Sequence, residues 1–304
     1  MPATIFHNLS ALHPGDTVAV IAPAGAFDRL TFEPGLAILA DRYHVTFRPD
    51  LFERHRYLAG DDPRRLTELT EALRDPQVRA IFCARGGYGT QRLLPKLPQG
   101  YPDPKPLIGF SDITALHQWR QRQGFMSIHG PVLTQLARLG KATQERLFAL
   151  LESRSPAAEL RGNSTFVGGA AEGPLLGGNL TTFVHLLGTP FMPPLTGAIL
   201  MLEDLGERPY RLDRMWQHLA LAGVFRQIAG IALGTFIRCE ERDATYSGLD
   251  VLRDLASATG LPCAAGFPIG HGEENEPVPL GARVRLEADT ATLKFLEPAV
   301  SATD

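Results

Sequence analysis

The sequence predicts an α/β fold, with a mostly parallel sheet first and a smaller mixed α/β, barrel-like domain after it. Three observations predict this. Near-continuous apolar runs at 17–22, 78–84 and 107–110 have the character of strands covered on both faces. Between and after them, apolar residues recur at helical spacing. Beyond Ser153-Arg154-Ser155-Pro156 the texture changes to a glycine-rich stretch with strands in less regular alternation. The expected organisation is 1–155 as the first domain, 156–165 as a linker and 166–304 as the second domain. No internal repeat or low-complexity segment interrupts it.

Taken in order, Thr17-Val18-Ala19-Val20-Ile21-Ala22 reads as the first strand and Pro23-Ala24-Gly25 ends it. Phe32, Leu36, Leu39, Ala40 and Tyr43 then form a helical stripe, followed by a short strand near Val45-Thr46-Phe47. Asp62-Pro63 reads as an N-cap with proline at the first helical position, and Leu66, Leu69 and Leu73 continue that helix. Val78 to Ala84 is the next buried strand and runs into Arg85-Gly86-Gly87-Tyr88-Gly89. A proline-rich connection from Pro95 to Pro106 leads to Leu107-Ile108-Gly109-Phe110, where Ser111 joins a strand to a helix bearing Ile113, Leu116 and Trp119. A strand near Met126-Ser127-Ile128 and a helix over about Thr143–Leu151 complete the first half. In the second half, strands are expected at Ala198–Leu202, Ile228–Leu233 and Ala282–Leu286. Helices are expected from Asn179 and over Arg211–Leu221.

Composition narrows the function. The 304 residues are 44% hydrophobic and 21% charged, with net charge −3 and mean hydropathy near zero. This balance predicts no nucleic-acid or membrane partner. Cys83, Cys239 and Cys263 are widely spaced, without a C-x-x-C pair, which points to a reducing, cytoplasmic setting and to no structural zinc. Met1 to Asn8 lack a basic segment followed by an apolar one.

Four stretches could carry chemistry. Ser111 stands where a strand ends and a helix begins, beside unpaired N–H groups that suit a nucleophile whose attack creates an oxyanion. Gly109 matches the first glycine of the G-x-S-x-G elbow; the second is absent. The plainer alternative is an N-cap serine. Arg85-Gly86-Gly87-Tyr88-Gly89 lies at a strand's C-terminal end, where backbone N–H groups approach an anion and Arg85 offers a fork for a carboxylate; alternatively it is only a tight turn. Ile199 to Asp204 is a strand ending in carboxylates. Glu203, Asp204 and Glu207 could each orient a histidine or merely meet solvent, and spacing does not choose among them. His271, between Gly270 and Gly272, is accessible as a base, against the commoner structural role of a lone histidine. In Leu175 to Thr181, Asn179 reads as a helix cap after a glycine turn, or as a contact to a peptide substrate. No histidine pattern calls for a metal.

Together these stretches resemble the LD-carboxypeptidase family, the serine murein tetrapeptide carboxypeptidases. The matching segments are Ala84–Gly89, Gly109–Ala115, Gly177–Leu180, Leu202-Glu203-Asp204 with Pro209-Tyr210-Arg211 and Asp213-Arg214-Met215, and Gly270-His271-Gly272 with Pro279-Leu280-Gly281. They follow the family's order over most of the chain. The resemblance implies a flavodoxin-like N-terminal domain, a site in the groove between domains, and a homodimer. It also implies Ser111 as nucleophile, His271 as base and Glu203 as the orienting carboxylate. The implied reaction is release of D-alanine from a muropeptide tetrapeptide during cytoplasmic cell-wall recycling, without a cofactor or metal.

For that reaction, the N–H groups of Asp112 and of the Gly86-Gly87 turn, Gly87 above all, are the expected oxyanion donors. Arg85, with Gly86 and Asn179, is expected to contact substrate. The family also resembles the microcin C self-immunity hydrolases, which cut an aminoacyl-nucleotide amide and carry extra loop sequence with an aromatic for the base. The short Pro95–Pro106 segment disfavours that substrate. A third alternative is a non-catalytic module that binds a small anion through Arg85 and the glycine turns.

Overall fold

The computed structural model describes residues 5–98, 104–241 and 245–301. Residues 1–4 of the N-terminal stretch and 99–103 of the Pro95–Pro106 connection lie outside the described residues, so the expectations placed on them are not addressed.

The first half runs β1 (Leu9–Ser10), β2 (Thr17–Ile21), α1 (Arg29–Ala40), β3 (His44–Thr46), α2 (Asp62–Arg74) and β4 (Ala80–Cys83). It continues through β5 (Leu107–Gly109), α3 (Thr114–Arg122), β6 (Ser127–His129), α4 (Leu133–Leu136) and α5 (Lys141–Glu152). The second half begins with β7 (Leu160–Arg161), β8 (Ser164–Val167), β9 (Ala170–Asn179), α6 (Leu180–Val184), β10 (Ile199–Leu205) and α7 (Pro209–Leu221). It ends with β11 (Gly230–Ile237), α8 (Gly248–Ser257), β12 (Cys263–Ala265), β13 (Val278–Leu280), β14 (Arg283–Glu287), β15 (Thr292–Phe295) and β16 (Val300–Ser301).

The first sheet has the order β13-β6-β5-β4-β2-β3. Its five strands from the first half are parallel and, numbered among themselves, give the flavodoxin-like order 2-1-3-4-5. The apolar runs put one face of each strand on either core: Val20 and Phe82 lie in one apolar cluster, Ile21 and Ile81 in the other. The second sheet, β7-β15-β14-β9-β10-β11-β12-β8, is mixed, with a parallel centre of β9 to β12 and antiparallel flanks. The mixed α/β class therefore stands as expected.

Several local expectations change. The stretch 156–165, expected as a linker, contains β7 and the start of β8, both paired into the second sheet. Val278–Leu280, assigned to the second domain, crosses over to cover the β6 edge of the first sheet. The N-terminal β1 likewise pairs with the C-terminal β16. Leu175–Asn179 is the buried end of β9 rather than a glycine turn, because it pairs with Ile199–Glu203 of β10. At α2 the cap is Asp61, one residue earlier than expected: its carboxylate accepts the Arg64 N–H at 2.9 Å. Asp62 is instead drawn to Arg65 and Arg92.

One apolar cluster runs without a break from Phe32, Leu136 and Leu147 in the first half to Leu176, Leu200 and Trp216 in the second. Among the described residues, no helix is long and apolar enough to cross a membrane.

Candidate active site

Ser111 follows β5 at φ 64°, a left-handed conformation that costs a non-glycine residue on the order of 1 kcal/mol or more. It opens a 3-10 turn, Ser111–Ile113, that precedes α3, and its side chain makes no capping bond. The N-cap alternative is thereby set aside. The hydroxyl is presented at the C-terminal edge of the parallel sheet, where α/β folds place their sites.

Two loops brace this turn. Asp112 is buried, and its carboxylate accepts the Thr90 N–H at 2.9 Å while the Thr90 hydroxyl donates to the Asp112 carbonyl at 2.6 Å. Those bonds tie the loop after β5 to the loop after β4, which carries Arg85-Gly86-Gly87. A Cβ at Gly86 would lie 2.9 Å from Ser111 Cβ, so only glycine lets the two turns approach this closely. Gly87, at φ 109°, has an N–H with no acceptor among the described residues.

From the second sheet, β10 delivers Glu203. Its pairing with β11 shifts register between Leu202 and Asp204, and such a bulge re-aims the side chains beside it. Glu203 is fully buried. His271 stands on the loop between β12 and β13. The Thr235 N–H donates to the Ile269 carbonyl at 2.9 Å, and the Gly270 N–H donates to Asn275 Oδ1 at 2.9 Å. Asn275 Nδ2 in turn donates to Gln135 of the first half at 3.0 Å. A Cβ at Gly270 would fall 2.5 Å from Glu203 Oε2, so glycine is what brings this loop onto the carboxylate.

The three side chains meet. His271 Nδ1–H donates to Glu203 Oε2 at 2.6 Å, and the Ser111 hydroxyl donates to His271 Nε2 at 3.2 Å. The tautomer follows from making both bonds at once. Phe110 packs on the imidazole, with ring centroids 4.7 Å apart. Burial by itself lowers the His271 pKa, but the Glu203 charge and hydrogen bond outweigh it, and Asp204 adds to them. The net displacement is upward from 6.5. Chemically, the arrangement can move a proton from the hydroxyl to the imidazole and return it to a leaving group.

The other carboxylates have different work. Asp204 accepts from Asn179 Nδ2, the Thr181 N–H and hydroxyl, and the Leu205 N–H, all within 3.0 Å. Glu207 stands at the cleft rim, 3.5 Å from Arg211. Asn179 caps α6 by accepting the Thr182 N–H at 3.0 Å, and it also lines the cleft.

The cleft has a volume of about 740 Å³, within the usual range for small-ligand sites, and is lined from both halves of the chain. Arg85, Gly86, Gly87, Asp112 and Asn179 all border it, together with Ser111 and His271. Arg85 also hydrogen-bonds the Ala26 carbonyl. Contributors not foreseen from sequence include Arg238 at the cleft, Asn275 behind the histidine, and Arg65 of α2. Arg65 is buried and its Nη1 donates to the Pro23 and Gly89 carbonyls, at 2.5 and 2.9 Å, binding together the loops after β2 and β4.

The fold and this site define a class of two-sheet protein with a serine at the edge of a parallel sheet, a carboxylate on a second sheet and a histidine on the loop that crosses between the two. Family models assign the chain further. Residues 18–130 match the LD-carboxypeptidase N-terminal domain, and residues 172–286 match the LD-carboxypeptidase C-terminal domain. The chain belongs to the LD-carboxypeptidase family, serine-type peptidases. It is 37% identical to the murein tetrapeptide carboxypeptidase of Pseudomonas aeruginosa, over 90% of this chain and 93% of that one. Among solved structures, the muramoyltetrapeptide carboxypeptidase of Oxalobacter formigenes superposes with a TM-score of 0.84 at 29% identity, covering 94% of this chain and all of that one (100%). MccF in complex with glutamyl sulfamoyl guanosine has the same fold, with a TM-score of 0.88 at 21% identity, covering 97% and 99% of the two chains.

Proposed function

We propose that this enzyme is a murein tetrapeptide carboxypeptidase that releases the terminal D-alanine by a Ser111–His271–Glu203 relay. The observation that carries the reading is the continuous hydrogen-bonded chain from Ser111 through His271 to buried Glu203, at the floor of a cleft, in a member of this family. Ser111 Oγ attacks the carbonyl of the residue before D-alanine, and its proton passes to His271 Nε2. The carbonyl oxygen becomes an oxyanion, held by the N–H groups of Gly87 and Asp112. Collapse breaks the C–N bond as His271 returns the proton to the departing amine, leaving an acyl-serine. Water, deprotonated by the same imidazole, then frees the shortened peptide. Glu203 keeps the imidazole in the required tautomer and stabilises its charged form.

The reading extends to cell-wall recycling in the cytoplasm and to a homodimer, both on the strength of the family. The fold shared with MccF keeps hydrolysis of an aminoacyl-nucleotide amide as the second reading, whereas a purely non-catalytic anion-binding module does not fit membership in an enzyme family. The test is incubation with L-Ala-γ-D-Glu-meso-diaminopimelyl-D-Ala and, separately, with glutamyl sulfamoyl guanosine, followed by mass spectrometry. Release of D-alanine alone, lost about 10⁴-fold or more in Ser111→Ala, is the expected result. Cleavage of the nucleotide but not of the peptide would overturn it.

A further inference from the structure

The proton relay leaves a pair of opposite charges on the cleft wall unused. Glu207 follows β10 and Arg238 follows β11, strands that run parallel with Leu205 opposite Ile237. The two residues therefore leave neighbouring strand ends at one rim, and both line the cleft. Arg238 is exposed, at φ 54°, and its guanidinium has no carboxylate and no hydrogen-bond acceptor among the described residues. Of the four non-glycine residues with positive φ among the described residues, it and Ser111 both line this cleft, and strained backbone gathers at functional positions. Glu207 is held by Arg211 through Oε2, and no partner engages Oε1 among the described residues. From the first half of the chain, Arg85 and Arg138 also line the cleft, and neither has a carboxylate partner among the described residues; the Arg85 guanidinium donates to the Ala26 carbonyl.

We propose that Glu207 and Arg238 determine specificity, by binding the free amino-acid end of the side chain on the residue just before the cut bond. This rests on the carboxypeptidase reading above and adds to it a preference. A side chain ending in both an ammonium and a carboxylate, as in diaminopimelate, satisfies the two wall charges together. One ending in an ammonium alone, as in lysine, leaves Arg238 unpaired. The same pair is a poor seat for the terminal D-alanine carboxylate, which has no ammonium beside it because its nitrogen is the amide being cut. Glu207 would repel that carboxylate, so Arg85, without a carboxylate partner of its own among the described residues, takes it.

The experiment compares kcat/KM for three tetrapeptides that differ only at the third residue: meso-diaminopimelate, the same residue with its distal carboxyl amidated, and L-lysine. The wild-type enzyme is expected to prefer the free carboxyl by about tenfold or more over both others, the scale of a charge-assisted hydrogen-bonded pair. Arg238→Gln should collapse that ratio to within about threefold through KM, and Arg238→Lys should keep part of it. Arg85→Gln should weaken all three peptides alike and leave the ratio intact. Equal wild-type turnover of the three would overturn this inference while leaving the peptidase reading in place. So would an unchanged ratio in Arg238→Gln, or a ratio that follows Arg85 instead. Release of no D-alanine from any of them would reject the peptidase reading and this inference with it.

Discussion

At the scale of single residues, the site turns on how Glu203 changes the chemistry of His271. Burial favours the neutral imidazole, yet the buried carboxylate at 2.6 Å wins, and the pKa lies above 6.5. As the proposed base His271 works only when neutral, so kcat/KM should climb with pH through a midpoint above 6.5 and fall away on the acid side. Glu203→Gln removes the opposing charge and leaves the burial, so that midpoint should move below 6.5 while the rate drops roughly 10³-fold or more. Asp204→Asn should cost less rate, because its carboxylate is hydrogen-bonded to Asn179 and Thr181 and acts on the imidazole only through its charge. A pH profile unmoved by Glu203→Gln, or a greater rate loss in Asp204→Asn, would remove Glu203 from the role. That Ser111 and His271 stand on turns open to a cleft was legible because each sits in a short local pattern whose turn geometry follows from its neighbours. Glu203 was not separable from Asp204 and Glu207, since which carboxylate meets the imidazole depends on a register shift between β10 and β11, with the extra residue on β11, that only strand pairing creates.

At the scale of elements, α2 does more than cover the sheet. Its inner face carries Arg64, Arg65 and Glu68, all buried. Glu68 accepts the Ala22 N–H at 2.7 Å and two bonds from Arg64, so the end of β2 is held by an ion pair. Arg65 performs the corresponding task for the Gly89 carbonyl. Arg65→Ala should therefore lower stability by roughly 3 kcal/mol, from the buried Pro23 and Gly89 carbonyls left without their donor. It should also reduce kcat more than KM, since the Gly86-Gly87 turn loses its anchor. Urea unfolding with steady-state kinetics checks both, and an unchanged unfolding midpoint would contradict the account. Sequence alone hid this face: charged residues at helical spacing read as solvent-facing, and only the buried carbonyls of the loops after β2 and β4 make a buried guanidinium sensible. Arg238 was hidden for a related reason, as its position depends on where β11 stops.

At the scale of the whole molecule, the two sheets are stitched together at both ends of the chain. The shared apolar cluster, the β1–β16 pair and the crossing of β13 leave little for either half to do alone. One cooperative transition is expected despite the two-sheet architecture. The two tryptophans allow a direct measurement, since Trp119 is buried in the first half and Trp216 in the second. Fluorescence melts of Trp119→Phe and Trp216→Phe, each reporting on the opposite half, should give coincident transitions once each variant's own stability shift is referenced by circular dichroism. Well-separated fluorescence and dichroism midpoints would show the halves melting independently. The α/β alternation announced the first sheet early, whereas the crossing strand was invisible, because Val278-Pro279-Leu280 is too short to declare which sheet it joins.

That crossing strand has a further consequence for how such enzymes can be recombined. The segment that leaves the second sheet at Ala265 and enters the first at Val278 is also the one that bears the imidazole. His271, the proposed general base, thus belongs to neither half; it rides a tether anchored in both. A chimaera that swaps halves between two relatives at a junction near residue 160 would import a tether whose far anchor was cut for a different partner. Grafts should keep 263–280 matched to the β6 edge it docks on, or the hydroxyl and the ring will be set at the wrong separation even when both halves fold.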